Sequence, residues 1–217
     1  NYSVTDQSST TANITAKALT VSGITSSSKT YDATTSASLN TGSVSYGGLV
    51  FGDNLTGTYS GVFNNANVGS GKTVTITSSY SGADVNNYTI TNQSSTTADI
   101  AAKVLTATAS AANKTYNRST TAATTLTFTG LVASETLGQT VGSTFDNKNV
   151  GTGKTVTVNS ITLADGTGLA ANYSISAGQT TTANIIAKSL TVSGITSSNK
   201  SYNGNTVATL DASSVAY

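Results

Sequence analysis

Phe63-Asn64-Asn65-Ala66-Asn67-Val68-Gly69-Ser70-Gly71-Lys72-Thr73-Val74-Thr75-Ile76 returns 82 residues later as Phe145-Asp146-Asn147-Lys148-Asn149-Val150-Gly151-Thr152-Gly153-Lys154-Thr155-Val156-Thr157-Val158. In both copies the apolar residues alternate with threonine, the period of a half-buried strand. The same alternation runs through Tyr59 and Phe63, matched by Val141 and Phe145, and through Tyr88 and Ile90. Val44 and Tyr46 correspond to Leu126 and Phe128. Thr, Val and Tyr favour strands, and no stretch carries the 3.6-residue period of an amphipathic helix. Turn signals such as Gly47-Gly48, Gly52-Asp53-Asn54, Gly69-Ser70-Gly71, Asp165-Gly166 and Asn203-Gly204 separate the strands.

The recurrence spans the chain. Leu19-Thr20 returns at Leu105 and Leu190, Tyr31 at Tyr116 and Tyr202, and Asn1-Tyr2 at Asn87 and Asn172, each step being 85 or 86 residues. Thr96-Thr97-Ala98-Asp99-Ile100 matches Thr10–Ile14 and Thr181–Ile185. Two whole repeats are expected, 19–104 and 105–189, with 1–18 as the C-terminal strands of a preceding repeat and 190–217 as the N-terminal part of a following one. We therefore expect a segment of a longer repetitive protein. Leu19–Tyr31 and Leu190–Tyr202 share 11 of 13 residues, whereas the intervening copy is one residue shorter. Repeats thus alternate in two types, as duplication of a pair would leave them.

Each repeat reads as six or seven short strands with turns at sandwich-like spacing. A unit near 85 residues can bury a small two-sheet core, whereas one coil of a β-helix needs a far shorter period. The fold class expected is all-β: a tandem array of small immunoglobulin-like β-sandwich repeats of about 85 residues. The strand pattern by itself fits another small β fold as well. The expected core of the first repeat is Tyr31, Leu49, Leu55, Phe63, Val68, Val74, Ile76, Tyr88, Ile90, Ile100 and Leu105. That of the second is Tyr116, Leu131, Leu137, Phe145, Val150, Val156, Val158, Tyr173, Ile175 and Ile185.

Composition narrows the chemistry. The 217 residues include no His, Cys, Trp, Met or Pro, and 75 of them are Ser or Thr. A Ser-His-Asp or Cys-His nucleophile cannot be assembled, nor a zinc or copper site of the usual ligands. Ten basic and nine acidic residues leave a net charge of +1 with no basic stripe or polybasic run, so neither nucleic acid nor an anionic membrane is an expected partner. No apolar run is long enough to span a bilayer, and Asn1–Asp6 does not read as a signal peptide. Leu, Ile, Val and Phe make up only 20% of the chain. Disorder at that level normally accompanies high net charge, so a folded protein with thin cores is expected.

Lys29-Thr30-Tyr31-Asp32-Ala33-Thr34-Thr35 resembles the KxYDGTT opening of YDG-type repeats, as do Lys114–Thr120 and Lys200–Thr206. Gly48–Asp53, Asn67–Lys72, Asn87-Tyr88 and Ala98–Lys103 resemble that family's middle and closing motifs. Such repeats occur in very long bacterial surface proteins, many similar to filamentous haemagglutinin-type adhesins. The resemblance therefore implies an exported, extracellular segment at the bacterial cell surface. At the position of the family's Gly stand Ala33 and Arg118. A positive φ is not expected of such residues, whereas an Asx turn through Asp32 or Asn117 tolerates them.

The carboxylates offer little chemistry. Asp32 becomes Asn117 and Asn203, Asp99 becomes Asn13 and Asn184, and Asp146 replaces Asn64. An Asp-for-Asn exchange keeps the hydrogen-bonding shape and discards the charge, which suits a turn or cap rather than catalysis or calcium binding. Only Asp53 and Glu135 keep an acid at one aligned position, and one carboxylate per repeat supplies no glycosidase pair. Gly69–Thr73 and Gly151–Thr155 look superficially like a phosphate loop, but a strand follows and a hairpin turn is expected. Lys17, Lys103 and Lys188, and Lys29, Lys114 and Lys200, near strand ends, raise an isopeptide crosslink, which would need Asp53 or Glu135 beside a buried lysine and asparagine. Nine Asn-x-Ser/Thr sequons occur where composition alone predicts about seven, so they are mostly a by-product of composition.

No catalytic, cofactor-binding or metal-binding residue is therefore expected, and the chain is not expected to be an enzyme. It reads as a stalk or filament segment whose neutral, hydroxyl-rich surface stays soluble. Its partners are neighbouring repeats, with self-association into fibres. Few charges guard the strand edges, so the Thr96–Leu105 stretch is a candidate to complete the sheet of the next repeat or of another molecule. The alternative is a weak multivalent module for glycans or proteins, for which Tyr46 and Tyr80 are the aromatics least tied to a core.

Overall fold

The structure, a computed structural model, describes residues 1–217 and is all-β apart from two single-turn 3-10 helices at Val85–Asn87 and Ala170–Asn172. No helix is long and apolar enough to cross a membrane. In the first repeat the strands are β1 (Lys17–Ser22), β2 (Thr25–Ser26), β3 (Lys29–Thr30), β4 (Ser36–Ala37), β5 (Leu39–Asn40), β6 (Ser45–Gly47), β7 (Thr56–Phe63), β8 (Gly69–Ser81), β9 (Tyr88–Thr91) and β10 (Ser95–Ala101). The second has β11 (Lys103–Val104), β12 (Thr106–Ala111), β13 (Lys114–Thr115), β14 (Thr124–Thr129), β15 (Leu137–Phe145), β16 (Gly151–Asp165), β17 (Tyr173–Ser174) and β18 (Thr180–Ile186). Beyond it lie β19 (Thr196–Ser197) and β20 (Leu210–Asp211), and residues 1–16 form no strand.

The β7–β8 hairpin shows how sequence sets structure. Its register runs from Thr56 opposite Ser81 to Phe63 opposite Val74. Val74 and Ile76 point inward while Thr73, Thr75 and Thr77 face solvent, as the alternation requires. The hairpin turn is built by asparagines. Asn64 Oδ1 accepts the Asn65 N–H at 3.0 Å, and Asn65 Oδ1 accepts the Asn67 N–H at 3.0 Å and Lys72 Nζ at 2.7 Å. Asp146, Asn147 and Lys154 repeat this turn. The expected hairpin turn at Gly-Ser-Gly is thus displaced: Gly69–Lys72 already belong to β8. Gly71 lies there at φ 58° opposite a bulge between Ala98 and Ile100 and donates its N–H to Asp99 Oδ1 at 2.7 Å. Gly153, at φ 60°, does the same to Asn184.

The five-stranded sheet of the first repeat runs β3-β10-β8-β7-β4, and the corresponding four strands of the second run β13-β18-β16-β15. A three-stranded sheet, β6-β1-β9, pairs β1 with β9 in parallel from Lys17–Tyr88 to Thr20–Thr91. β11 and β17 reproduce this parallel pairing. The Thr96–Leu105 stretch serves both copies: β10 pairs with β8 and β3, and two residues later β11 pairs with β17.

The chain divides into two compact units. One comprises Asn1–Thr106, Thr129–Gly138 and Leu163–Ile175; the other comprises Ala107–Phe128, Gln139–Thr162 and Ser176–Tyr217. In the first unit Leu19, Val21, Ile24, Ile76 and Tyr88 form a buried cluster that draws on both sheets. In the second, Ala122, Phe145, Val156, Ala183 and Ile185 do so. Of the expected core, Val150 is 53% exposed, a correction; its equivalent Val68 is half-buried. Leu19, Val21, Ile24 and Leu126 are buried core residues outside the expected core sets. Ile24 is clamped by Gln93, which accepts the Ile24 N–H at 2.9 Å and donates to the Ile24 carbonyl at 2.6 Å.

Candidate functional site

The YDG-like opening assigns a separate task to each of its residues. Lys29 Nζ lies 5.6 Å from the centre of the Phe63 ring, pairs with Asp32 at 2.7 Å and donates to the Thr34 carbonyl at 2.7 Å. Lys114 repeats the ring contact with Phe145 at 5.4 Å. Asp32 Oδ1 accepts the Thr34 N–H at 2.9 Å, an Asx turn, and Asn117 does the same with Ser119 at 3.1 Å. Burial pushes the Asp32 carboxyl up, but hydrogen bonds from Lys29 and Thr34 outweigh it and hold it below its ordinary value. The next residue is left-handed in all three copies: Ala33 at φ 61°, Arg118 at 67° and Gly204 at 77°. The Asx turn therefore does not relieve the need for a positive φ, which corrects the expectation for Ala33 and Arg118.

The tyrosine between them reaches a site built from both repeats, all of whose residues lie in the first compact unit. Tyr31 is 5% exposed, and its hydroxyl donates to Glu135 Oε1 at 2.7 Å. The Tyr173 hydroxyl donates to the other oxygen, Glu135 Oε2, at 2.5 Å and accepts the Val132 N–H at 3.0 Å. The Tyr31 and Tyr173 rings meet edge to face, centres 5.4 Å apart at 79°. Beside them Asn172, 1% exposed, accepts the Val68 N–H at 2.9 Å and donates to Asn67 Oδ1 at 3.1 Å. One carboxylate and one carboxamide of the second repeat thus satisfy a phenol, a backbone amide and a side-chain carbonyl of the first, across 104 or 105 residues of sequence.

Both oxygens of Glu135 carry a hydrogen bond. Burial, followed by the Glu135 hydrogen bond, pushes the Tyr31 phenol up to about 12; the same causes raise Tyr173. At neutral pH both phenols remain protonated donors. The arrangement can hold two surfaces together, and it offers no deprotonated nucleophile.

The first repeat carries the equivalent phenol–carboxylate pair. Tyr88 donates to Asp53 Oδ2 at 2.5 Å and accepts the Val50 N–H at 3.0 Å, the pattern of Tyr173, Glu135 and Val132. Hydrogen bonding to Asp53, then burial, raises the Tyr88 phenol. Asn87, the equivalent of Asn172, is exposed. Val68, whose N–H is held by Asn172, is half-buried, whereas the equivalent Val150 is 53% exposed. Asp53 and Glu135, singled out as the retained acids, are thus the phenol acceptors, and no ion pair joins a lysine to either. Tyr46 and Tyr80 are half-buried: Tyr46 and Tyr59 hydroxyls lie 3.0 Å apart, and Tyr80 meets Tyr59 edge to face at 6.2 Å.

Two copies of one strand order, each with its own Lys-Tyr-Asp/Asn opening, define a protein made of repeated all-β units. The chain belongs to the YDG domain family, whose model matches residues 15–98 and again 101–183. No curated protein and no solved structure matches it significantly.

Proposed function

We propose that this chain is a non-catalytic structural segment, a stalk or filament, of a long bacterial surface adhesin that acts outside the cell in attachment or in biofilm and fibre formation. Each repeat is taken as a small immunoglobulin-like β-sandwich whose partners are its neighbours in the chain. One observation carries the reading: a buried polar site, Tyr31–Glu135–Tyr173 with Asn172, joins two repeats. The composition agrees, since a surface rich in Ser and Thr stays soluble, and absence of Cys and Met removes the main targets of oxidation.

Pulling the chain by its ends in a single-molecule instrument tests the stalk role. Discrete unfolding steps are expected that together release about 170 residues, roughly 60 nm of contour. Smooth extension with no unfolding step would contradict it. A second reading, weak multivalent recognition of glycans, draws on Phe51, which is fully exposed beside the half-exposed Val50. It requires glycan-array binding that Phe51→Ala abolishes.

A further inference from the structure

Three phenols of the first repeat converge near a glycine. Tyr46 stands on β6, in the three-stranded sheet, and Tyr59 and Tyr80 stand on the β7–β8 hairpin of the five-stranded sheet. The Tyr46 and Tyr59 hydroxyls lie 3.0 Å apart, and the Gly57 N–H donates to the Tyr46 oxygen at 3.0 Å. A Cβ at Gly57 would collide with both hydroxyls, so the glycine leaves the room in which the two phenols meet. Tyr80 meets the Tyr59 ring edge to face, centres 6.2 Å apart. All three rings are half-buried against Leu19, Val21, Ile24, Ile76 and Tyr88, within the first compact unit.

The cluster belongs to one type of repeat. The second repeat has Phe128, Gln139 and Val141 where the first has Tyr46, Gly57 and Tyr59. At the position of Tyr46 in the copy that follows, Tyr217 is again a tyrosine. A packing need common to both repeats therefore does not explain the paired phenols. The chain has no Cys, Met, Trp or His, so tyrosine is its most easily oxidised side chain and no disulfide can join its sheets. Tyrosine rings rock in a broad χ2 well, and two hydroxyls in contact keep the ring carbons beside each C–O bond within reach of one another.

We propose that Tyr46 and Tyr59 form an oxidative crosslinking site, at which a dityrosine bond ties together the two sheets of this repeat. Each phenol gives up one electron and one proton to a one-electron oxidant, such as hydrogen peroxide acting through a peroxidase. The two electrons and two protons convert one peroxide into two waters. The two phenoxyl radicals join by a new carbon–carbon bond between their ortho carbons. Each ortho hydrogen then moves to its own oxygen, which restores both phenols and leaves a product two hydrogens lighter than the parent. Burial, then the hydrogen bond with Tyr46, pushes the Tyr59 phenol above its ordinary value, so its proton leaves with the electron rather than before it.

Photo-oxidation of the full chain with tris(bipyridyl)ruthenium and persulfate, a diffusible one-electron oxidant, tests this at falling protein concentration. Dityrosine fluorescence is read on the monomer, and peptide mass mapping locates the bond. A monomer two hydrogens lighter is expected, bridged from Tyr46 to Tyr59, in a fractional yield that does not fall on dilution. Coupling between molecules through the exposed Tyr2, Tyr202 and Tyr217 is expected to vanish on dilution. Tyr31 and Tyr173 are an internal control: their rings are 5.4 Å apart, but their hydroxyls hold Glu135 and not each other. Tyr46→Phe and Tyr59→Phe keep the packed ring and are each expected to lower the monomer yield at least about tenfold, because the positioned partner is gone. Tyr80→Phe is expected to leave the bridge in place. No dityrosine in the monomer, a bond mapped to Tyr31 and Tyr173 or another pair instead, or an undiminished yield from Tyr59→Phe would overturn the proposal. The mapping in the parent needs no variant, so it decides the matter even where a variant fails to fold.

Discussion

Ala33 and Arg118 sit in the left-handed region, where an L side chain is strained by roughly 1 kcal/mol or more. The third copy places Gly204 there without that strain. Ala33→Gly is therefore expected to raise stability by roughly 0.5–1 kcal/mol, the relief of strain exceeding the added flexibility of the unfolded chain. An unchanged or lowered urea midpoint would contradict this. The Asp/Asn exchanges were legible from sequence because each slot uses one side-chain oxygen as acceptor for a backbone N–H: Asp32 and Asn117, Asp99 and Asn184, Asn64 and Asp146. The left-handed backbone at Ala33 was not, because an Asx turn constrains where a side-chain oxygen points and leaves the φ of the next residue open.

Among the elements, β7, β8, β15 and β16 stood out in the sequence because each is eight residues or longer, enough for apolar residues to recur on one face. The two-residue strands β2 to β5 did not, since Ser and Thr are so common that so short a segment carries no contrast. Phe63 closes the β7–β8 hairpin and is 2% exposed. Phe63→Ala is expected to cost about 3–5 kcal/mol in chemical unfolding, and Phe51→Ala, on an exposed loop, less than about 0.5 kcal/mol. Equal effects would contradict the assigned core. The phenol of Tyr31 makes a second prediction. Its folded value is raised to about 12 from the ordinary 10.0, so the neutral form is favoured by folding. That contribution is whole below pH 10.0 and is lost as pH rises through about 12. Across this window the melting temperature of the parent is expected to fall more steeply than that of Tyr31→Phe. Parallel curves would mean that the Tyr31 hydroxyl carries no such coupling.

On the scale of the whole molecule, the repeat period, the family motifs and the retained acids were all readable, yet the site they build was not. Its partners lie 104 or 105 residues apart, and alignment of equivalent positions places Tyr31 with Tyr116, never with Glu135. Repeat logic also treats Val68 and Val150 as one position, whereas only Val68 meets an asparagine of the following repeat. This difference permits the most direct test, with the control in the same molecule. Amide hydrogen exchange at Val68 and Val150, followed by NMR on the intact chain, compares two equivalent turns of which a second repeat caps one. If Asn172 holds the Val68 N–H as described, Val68 exchanges about a hundredfold more slowly than Val150, and Asn172→Ala brings the two rates together. Equal rates in the parent would contradict the account, because the contact that joins the repeats would then not be formed.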